Sequence, residues 1–288
     1  MDFPIMGSNP NNRAVYRDAA GTPHRRAAPD ARIACLVPSI TELVCDLGLA
    51  AQLVARTGFC IHPRDVVANI PKAGGTKDVD IARLRALAPT HVIVNIDENR
   101  KPVVDEIAQF VPHVIVTHPN APADNLALYQ LIGGIFDREA AAEKMSIALR
   151  AALDAALEAT AALPRERVLY LIWKDPWMTV ARDTYVSRTL AAVGWDTVPA
   201  ALPAAPNGTA ASRYPQIDVI QAAREADAVL LSSEPFMFRA AHATALQAEL
   251  AAQACVKPVR LIDGEMTSWY GSRAVAGLRY LAALRAQG

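Results

Sequence analysis

Short apolar runs of four or five residues alternate along this chain with longer stretches in which apolar positions return every three or four residues. Runs at 33–37, 53–57, 91–95 and 113–116 predict buried strands, and the intervening 39–47, 81–87 and a segment opened by Pro102 predict helices. Pro38 holds the first turn extended, Ser39 with Glu42 three residues later reads as a capping box, and Gly48 ends that helix. The scheme then recurs, with strands at 168–172, 228–231 and 259–262 and helices near 185–193, 217–226, 239–250 and 272–285. Apolar runs flanked by helices suit parallel sheets buried on both faces. The stretch 199–215, with its prolines and an Asn-Gly pair, reads as a surface loop.

Between the two α/β stretches lies a helix-forming run at 137–162 without Gly or Pro. At 1.5 Å per residue it spans roughly 39 Å, enough for a strut. Asp137 is placed to cap it, Glu139 and Glu143 favour its first turns, Pro164 stops it, and Met145, Leu149, Leu153 and Leu157 form an apolar stripe. The expected architecture is α/β: two Rossmann-like lobes with parallel sheets, joined by a single long α-helix, with a ligand cleft between the lobes. The expected division is a disordered tail at 1–30, an N-terminal lobe at 31–136, the connecting helix at 137–163 and a C-terminal lobe at 164–288.

The chain has 288 residues, 52% of them apolar, enough for packed cores, and its 29 basic and 29 acidic residues cancel. A neutral chain has no overall field to attract nucleic acid or an anionic membrane, so any charged ligand must be met locally. Residues 1–30 are polar and lack the apolar core that drives secretion, which predicts a chain not exported from this start. Cys35, Cys45, Cys60 and Cys255 have neither CxxC spacing nor the density of a disulfide framework. Gly74 and Gly75 precede Thr76 without a phosphate-binding GxxxxGK[ST] pattern, which argues against nucleotide binding.

In open parallel sheets ligands bind beyond the carboxyl ends of the strands. That rule selects Pro38 and Ser39; Phe59, Cys60 and His62; Asn95, Glu98, Asn99 and Arg100; Trp173, Asp175, Trp177, Met178 and Arg182; Glu234 and Phe236; and Glu265, Trp269, Tyr270 and Arg273. Three of the four tryptophans fall in these loops. Aromatic faces mixed with amide and charged groups suit a bulky amphipathic ligand better than an ion or a single sugar. Cys60 and His62 also permit a thiol–imidazole reading or a metal contact, and Asp175 with Glu265 an acid–base pair, although each acid has a ready partner in Arg182 or Arg273. His24, His91, His113 and His242 read as structural or solvated, and His118 ends a strand.

The segments GFCIHP at 58–63, DENRK at 97–101, YLIWKDPWMTVARDTY at 170–185 and DGEMTSWYGSR at 263–273 resemble the helical-backbone substrate-binding proteins of importers. PSITE at 38–42, together with the last two of these segments, points to their cobalamin-binding branch. The resemblance, from about residue 32 to the end, implies a non-enzymatic binding protein for a corrinoid or another metal chelate. It implies ligand contacts from Pro38 and Ser39, from Phe59 and from Trp269, with Met178 in the place of a second-lobe aromatic. Two first-lobe tryptophans of cobalamin binders fall on Thr76 and Asn95, which makes the pocket more polar. The acids with which importer-coupled members dock a permease fall on Ala82 and Gly271.

The resulting expectation is a monomer that requires no cofactor and carries cobalamin or a related corrinoid, with His62 as a contact to the metal and an ABC permease as partner. A haem or ferric-siderophore binder is the first alternative. An enzyme using Cys60 and His62 with Asp175 or Glu265 is the second.

Overall fold

This computed structural model describes residues 14–200 and 212–287. Residues 1–13, and 201–211 of the expected 199–215 loop, lie outside the described residues. The chain divides into two compact units, one of residues up to 118 together with 127–144, the other of 119–126 and 145 onward.

Of the segment expected as a disordered tail, the described residues 14–30 are ordered. They form an antiparallel pair, β1 (Tyr16–Arg17) with β2 (Pro23–His24). Their polar composition hid a long-range partner. Asp18 accepts the amides of Ala20 and Thr22 through Oδ1, and His24 and the Val116 amide through Oδ2, while the Ala19 amide donates to the Val116 carbonyl. The hairpin therefore seals backbone groups of an edge strand that would otherwise be open to pairing.

The first unit continues with β3 (Ile33–Cys35), α1 (Pro38–Asp46), β4 (Leu53–Arg56), α2 (Arg64–Val67), α3 (Ile81–Ala86), β5 (His91–Asn95), α4 (Lys101–Ile107) and β6 (His113–Thr117). The strands form one parallel sheet in the order β4-β3-β5-β6. Ala34, Val92 and Val94 pack on one face with Leu84 of α3 and Ile107 of α4, while Ile33, Cys35 and Ile93, of opposite parity, are also fully buried. Burial on both faces is why these strands read as continuous apolar runs.

Helix α1 starts one residue earlier than its sequence suggests. Pro38 takes the first turn, Val37 is the N-cap, and no side chain caps the helix, so the expected Ser39–Glu42 box does not form. Ser39 is buried and its hydroxyl has no hydrogen-bond partner among the described residues. Gly48, with φ of 77°, closes the helix as expected; the amides of Gly48 and Leu49 return to the carbonyls of Cys45 and Val44.

Helix α5 (Asn125–Ile135) went unpredicted, because Gly133 and Gly134 interrupt an otherwise apolar segment. Both glycines are there for close approach: a Cβ at Gly134 would run into the Tyr16 ring, and one at Gly133 into Ala142. Helix α6 (Glu139–Thr160) is the long helix read at 137–162, two residues shorter at each end. Asp137 precedes it with a φ of 59° and pairs with Arg26, as does Glu139.

The second unit holds β7 (Glu166–Leu171), α7 (Tyr185–Ala191), β8 (Trp195–Thr197), α8 (Val219–Glu225), β9 (Ala228–Ser232), α9 (Ala240–Ala252), β10 (Val259–Ile262), α10 (Gly264–Ser268) and α11 (Arg273–Ala286). Its sheet is also parallel, in the order β10-β9-β7-β8. Read from each unit's first strand, both sheets have the same order, second-first-third-fourth. Strand β8 was missed because Trp-Asp-Thr is too short to show a pattern, and Trp195 is fully buried with its N–H on Glu166. No helix among the described residues is long and apolar enough to cross a membrane.

Candidate functional site

A sheet of this order has a switch point where connections leave neighbouring strands in opposite directions, and the crevice beyond their carboxyl ends is where such folds take ligands. In the first unit it lies between β3 and β5, in the second between β7 and β9. The side chains placed there differ sharply.

In the first unit the crevice is filled by amides. Asn99 reaches from the loop after β5 to the Leu36 carbonyl after β3 at 3.3 Å, donates to the Thr76 carbonyl at 2.8 Å, and accepts the Asn95 amide. Asn95 receives the Asp97 amide and approaches Thr117 Oγ1 at 3.4 Å. Both asparagines are buried. Their polar groups shape the loop from within. Glu98 is half-buried, and Arg100 stands exposed beside Asp78 at 3.5 Å.

The loop after β4 is held by Arg56. Its buried guanidinium donates to the carbonyls of Val67, Thr57 and Cys60 at 2.6, 3.0 and 3.1 Å. The clamp turns Cys60 inward, where Sγ lies 3.1 Å from both Thr41 Oγ1 and Thr57 Oγ1. Burial raises the pKa of this thiol, as it does for Cys35. A thiol kept protonated and out of solvent is not an activated nucleophile. Phe59 turns the other way and is 62% exposed, with Ile61 also exposed and His62 half-buried.

The second unit's crevice is aromatic. The chain after β7 folds back on itself, Met178 donating to the Trp173 carbonyl and receiving the Ile172 amide, with Trp177 between them in sequence. The chain after β9 runs alongside: the Phe236 amide donates to the Ile172 carbonyl. This sets Trp173 edge-on to Phe236 with centroids 5.6 Å apart, while Trp177 and Phe238 stack in parallel at 6.0 Å. His242, read as merely structural, closes the cluster edge-on to Phe236 and Phe238 and accepts the Arg239 amide that opens α9. Trp173 stays 40% exposed and Met237 62%. Met178 is half-buried, Arg182 donates to the Thr197 carbonyl, and Asp175 is exposed against Lys174 at 2.7 Å.

The last loop joins this wall through Glu234. Its Oε1 accepts Trp269 Nε1 at 2.8 Å and Ser268 Oγ at 2.6 Å, and burial raises its pKa, opposed by those two donors. Arg273 lies 4.8 Å from the Trp269 ring centroid and pairs with Glu265 at 2.5 Å. Glu265 is thus committed to Arg273, and Asp175 to Lys174. Tyr270 is buried edge-on to Tyr185, and Asn125 ties the loop down by accepting the Gly271 amide. Ser268 and Asn125 carried no sequence signal, because their partners lie 34 and 146 residues away. Among the described residues no group of three or more His, Cys, Asp or Glu side chains is placed to hold a metal ion.

Residues 33–257 match the family model described as periplasmic binding protein. The chain belongs to the periplasmic binding protein family. This is a family of non-enzymatic solute binders, and the buried, protonated Cys60 agrees with that. Three solved structures of the family's kind share the fold. The vitamin B12 binding protein BtuF of Vibrio cholerae has a TM-score of 0.73 at 16% identity, covering 89% of this chain and 97% of its own. A periplasmic heme binding protein from Pseudomonas aeruginosa has a TM-score of 0.72 at 20% identity, covering 89% and 93%. The heme-binding protein RhuT from Roseiflexus sp. RS-1 has 0.70 at 19%, covering 89% and 98%. No curated protein matches the chain.

Proposed function

We propose that this periplasmic binding protein takes a corrinoid, or failing that another flat metal chelate, at the strand-end loops of its units and serves as the receptor of an ABC importer. The observation that carries this reading is the aromatic wall across the second switch point. Trp173, open to solvent, and the half-buried Trp177 and Phe236 present ring faces and edges from two loops, with Phe238 buried behind them. Such a surface gains most from a large planar apolar partner. The vitamin B12 and heme binders among the structural neighbours support the same class.

The first unit offers Phe59 and the polar rim of Arg100 and Glu98, suited to the amide and charged periphery of such a ligand. His62 would offer a ring nitrogen to a metal already held by its chelate, not a protein-built metal site. Ala82, in the first turn of α3, and Gly271, buried with a φ of 72°, supply no carboxylate for a permease, so docking would rest on other surface groups.

The test is a titration of cobalamin, cobinamide and haem into the protein, followed by intrinsic tryptophan fluorescence. Saturable quenching by a corrinoid at micromolar concentration or below supports the reading. Quenching by haem alone moves the assignment to haem, and no response to any of the three removes it.

A further inference from the structure

Helix α6 buries mostly small side chains and leaves two large apolar ones in water. Its buried positions are Ala142, Ser146, Leu149, Ala152, Ala156 and Thr160, whereas Ile147 is 59% and Leu157 66% exposed. Leu157 was expected to continue the inward stripe of Met145, Leu149 and Leu153. Strict fourth-residue spacing drifts by about 40° per step around a helix of 3.6 residues per turn, so Leu157 lies about 80° round from Leu149 and faces solvent. A lone exposed leucine is ordinary, but these two stand in a pattern.

Ile147, Arg150, Asp154 and Leu157 follow one another at steps of three, four and three residues, the a and d spacing of one heptad face, and all four are exposed. The order apolar, cation, anion, apolar complements itself when reversed. A second α6 turned end for end about a two-fold axis at residue 152 sets Ile147 opposite Leu157 and Arg150 opposite Asp154, each pair made twice. The exposed flank beside this face, Lys144, Ala151 and Glu158, follows nearly the same symmetry: Lys144 falls beside the second copy's Glu158, and Ala151, next to the axis, lets the helices approach. Lys144, Asp154 and Glu158 have no ion pair among the described residues. A parallel arrangement would set Arg150 against Arg150 and Asp154 against Asp154, so the charges select the antiparallel one.

We propose that the outer face of α6 docks a second copy of this chain, antiparallel about a two-fold axis near residue 152. In such an isologous contact every favourable pair occurs twice, so one helix supplies two apolar pairs and four ion pairs. Two large apolar side chains per copy and solvated charges make a small interface, and the association is weak, with a Kd on the order of 0.1 mM. The expected monomer then holds only in dilute solution. This face shares no residue with the strand-end loops, so its failure and that of the chelate-binding reading are separate results.

The experiment is sedimentation equilibrium of the full chain from about 5 μM to about 1 mM. A monomer–dimer equilibrium is expected, weakened about tenfold or more in Ile147→Glu and in Asp154→Arg. Adding Arg150→Asp to Asp154→Arg should restore it to within about threefold, because the exchange keeps opposite charges facing each other. All three positions are exposed, and matching thermal midpoints separate lost association from lost folding. A monomer at every concentration, a dimer that Asp154→Arg leaves intact, or an exchange that restores nothing would each overturn the proposal. Slow thiol labelling of Ile147→Cys in dilute solution would overturn it too, since another part of the chain would then cover this face.

Discussion

Trp269 gives its indole N–H to the Glu234 carboxylate at 2.8 Å, across 35 residues of chain. The same oxygen takes the Ser268 hydroxyl, and the Arg273 guanidinium lies over the indole ring. One half-buried carboxylate thus sets the orientation of an aromatic in the last strand-end loop of the second unit. Glu234→Gln keeps an acceptor and should cost little stability, whereas Glu234→Ala leaves a buried N–H without a partner and should cost about 1–3 kcal/mol. Urea unfolding midpoints of the two variants check this.

Glu234 also has a pH signature. Its pKa is raised in the folded state, chiefly by burial, so between the ordinary glutamate pKa and the raised value the folded protein holds more protons than the unfolded chain. Stability from this group is present below that window and is lost as pH rises through it. Comparing stability against pH for the parent and Glu234→Gln should show the falling contribution vanish in the variant.

His91 works in the opposite sense. With its folded pKa near 4, the unfolded chain binds a proton between about pH 6.5 and 4 that the folded protein refuses. Stability should fall as pH drops through that interval. His91→Phe should flatten the slope there, measured by denaturant unfolding at a series of pH values.

How far these features could be read from the chain depends on the range of the interaction behind them. Strands β5 and β10 were legible to the residue, because short runs dominated by Val, Ile and Leu between helical stretches admit few other readings. The aromatic wall was legible by rule: tryptophans and phenylalanines beyond strand ends converge once the sheet order is that of a doubly wound fold. The hairpin at residues 16–24 was not, since its order comes from Asp18 meeting a backbone amide 98 residues away. Asn95 and Asn99 were chosen as ligand contacts; both are buried, Asn99 on the Leu36 and Thr76 carbonyls and Asn95 on the Asp97 amide and Thr117, which no local pattern announces. Ser39 misled as a cap because Pro38 had already started the helix.

Arg56 is a buried cation whose partners are carbonyls. Arg56→Lys cannot reproduce the fork that spans Val67, Thr57 and Cys60, and should destabilise the chain by about 1.5–3 kcal/mol. A thermal melt checks the loss. The loop carrying Phe59 and His62 should become the site of fastest proteolytic cleavage.

The thiols should be inert while the protein is folded. Cys35 and Cys60 are fully buried with raised pKa values, and Cys45 is pushed up to about 11 by burial and its Asp46 and Glu42 neighbours. Iodoacetamide at pH 8 should label all three slowly in buffer and rapidly in denaturant, by mass spectrometry. Cys60→Ala should leave ligand affinity within a factor of about two, since the side chain faces Thr41 and Thr57.

In the aromatic wall, Trp173→Ala and Trp177→Ala should each weaken ligand binding by about 1–3 kcal/mol, as desolvated ring anchors do. Trp177 packs on the core and should lower the melting temperature as well; Trp173, 40% exposed, should not. Isothermal titration and thermal melts together separate the two effects.

The central claim is that ligand is held by the loops beyond the carboxyl ends of the strands, above all by those after β7 and β9. Hydrogen exchange with and without saturating corrinoid tests it most directly. The account predicts slowed exchange concentrated in residues 172–178, 233–238 and 264–271. Binding accompanied by protection elsewhere, with those segments unchanged, would contradict it.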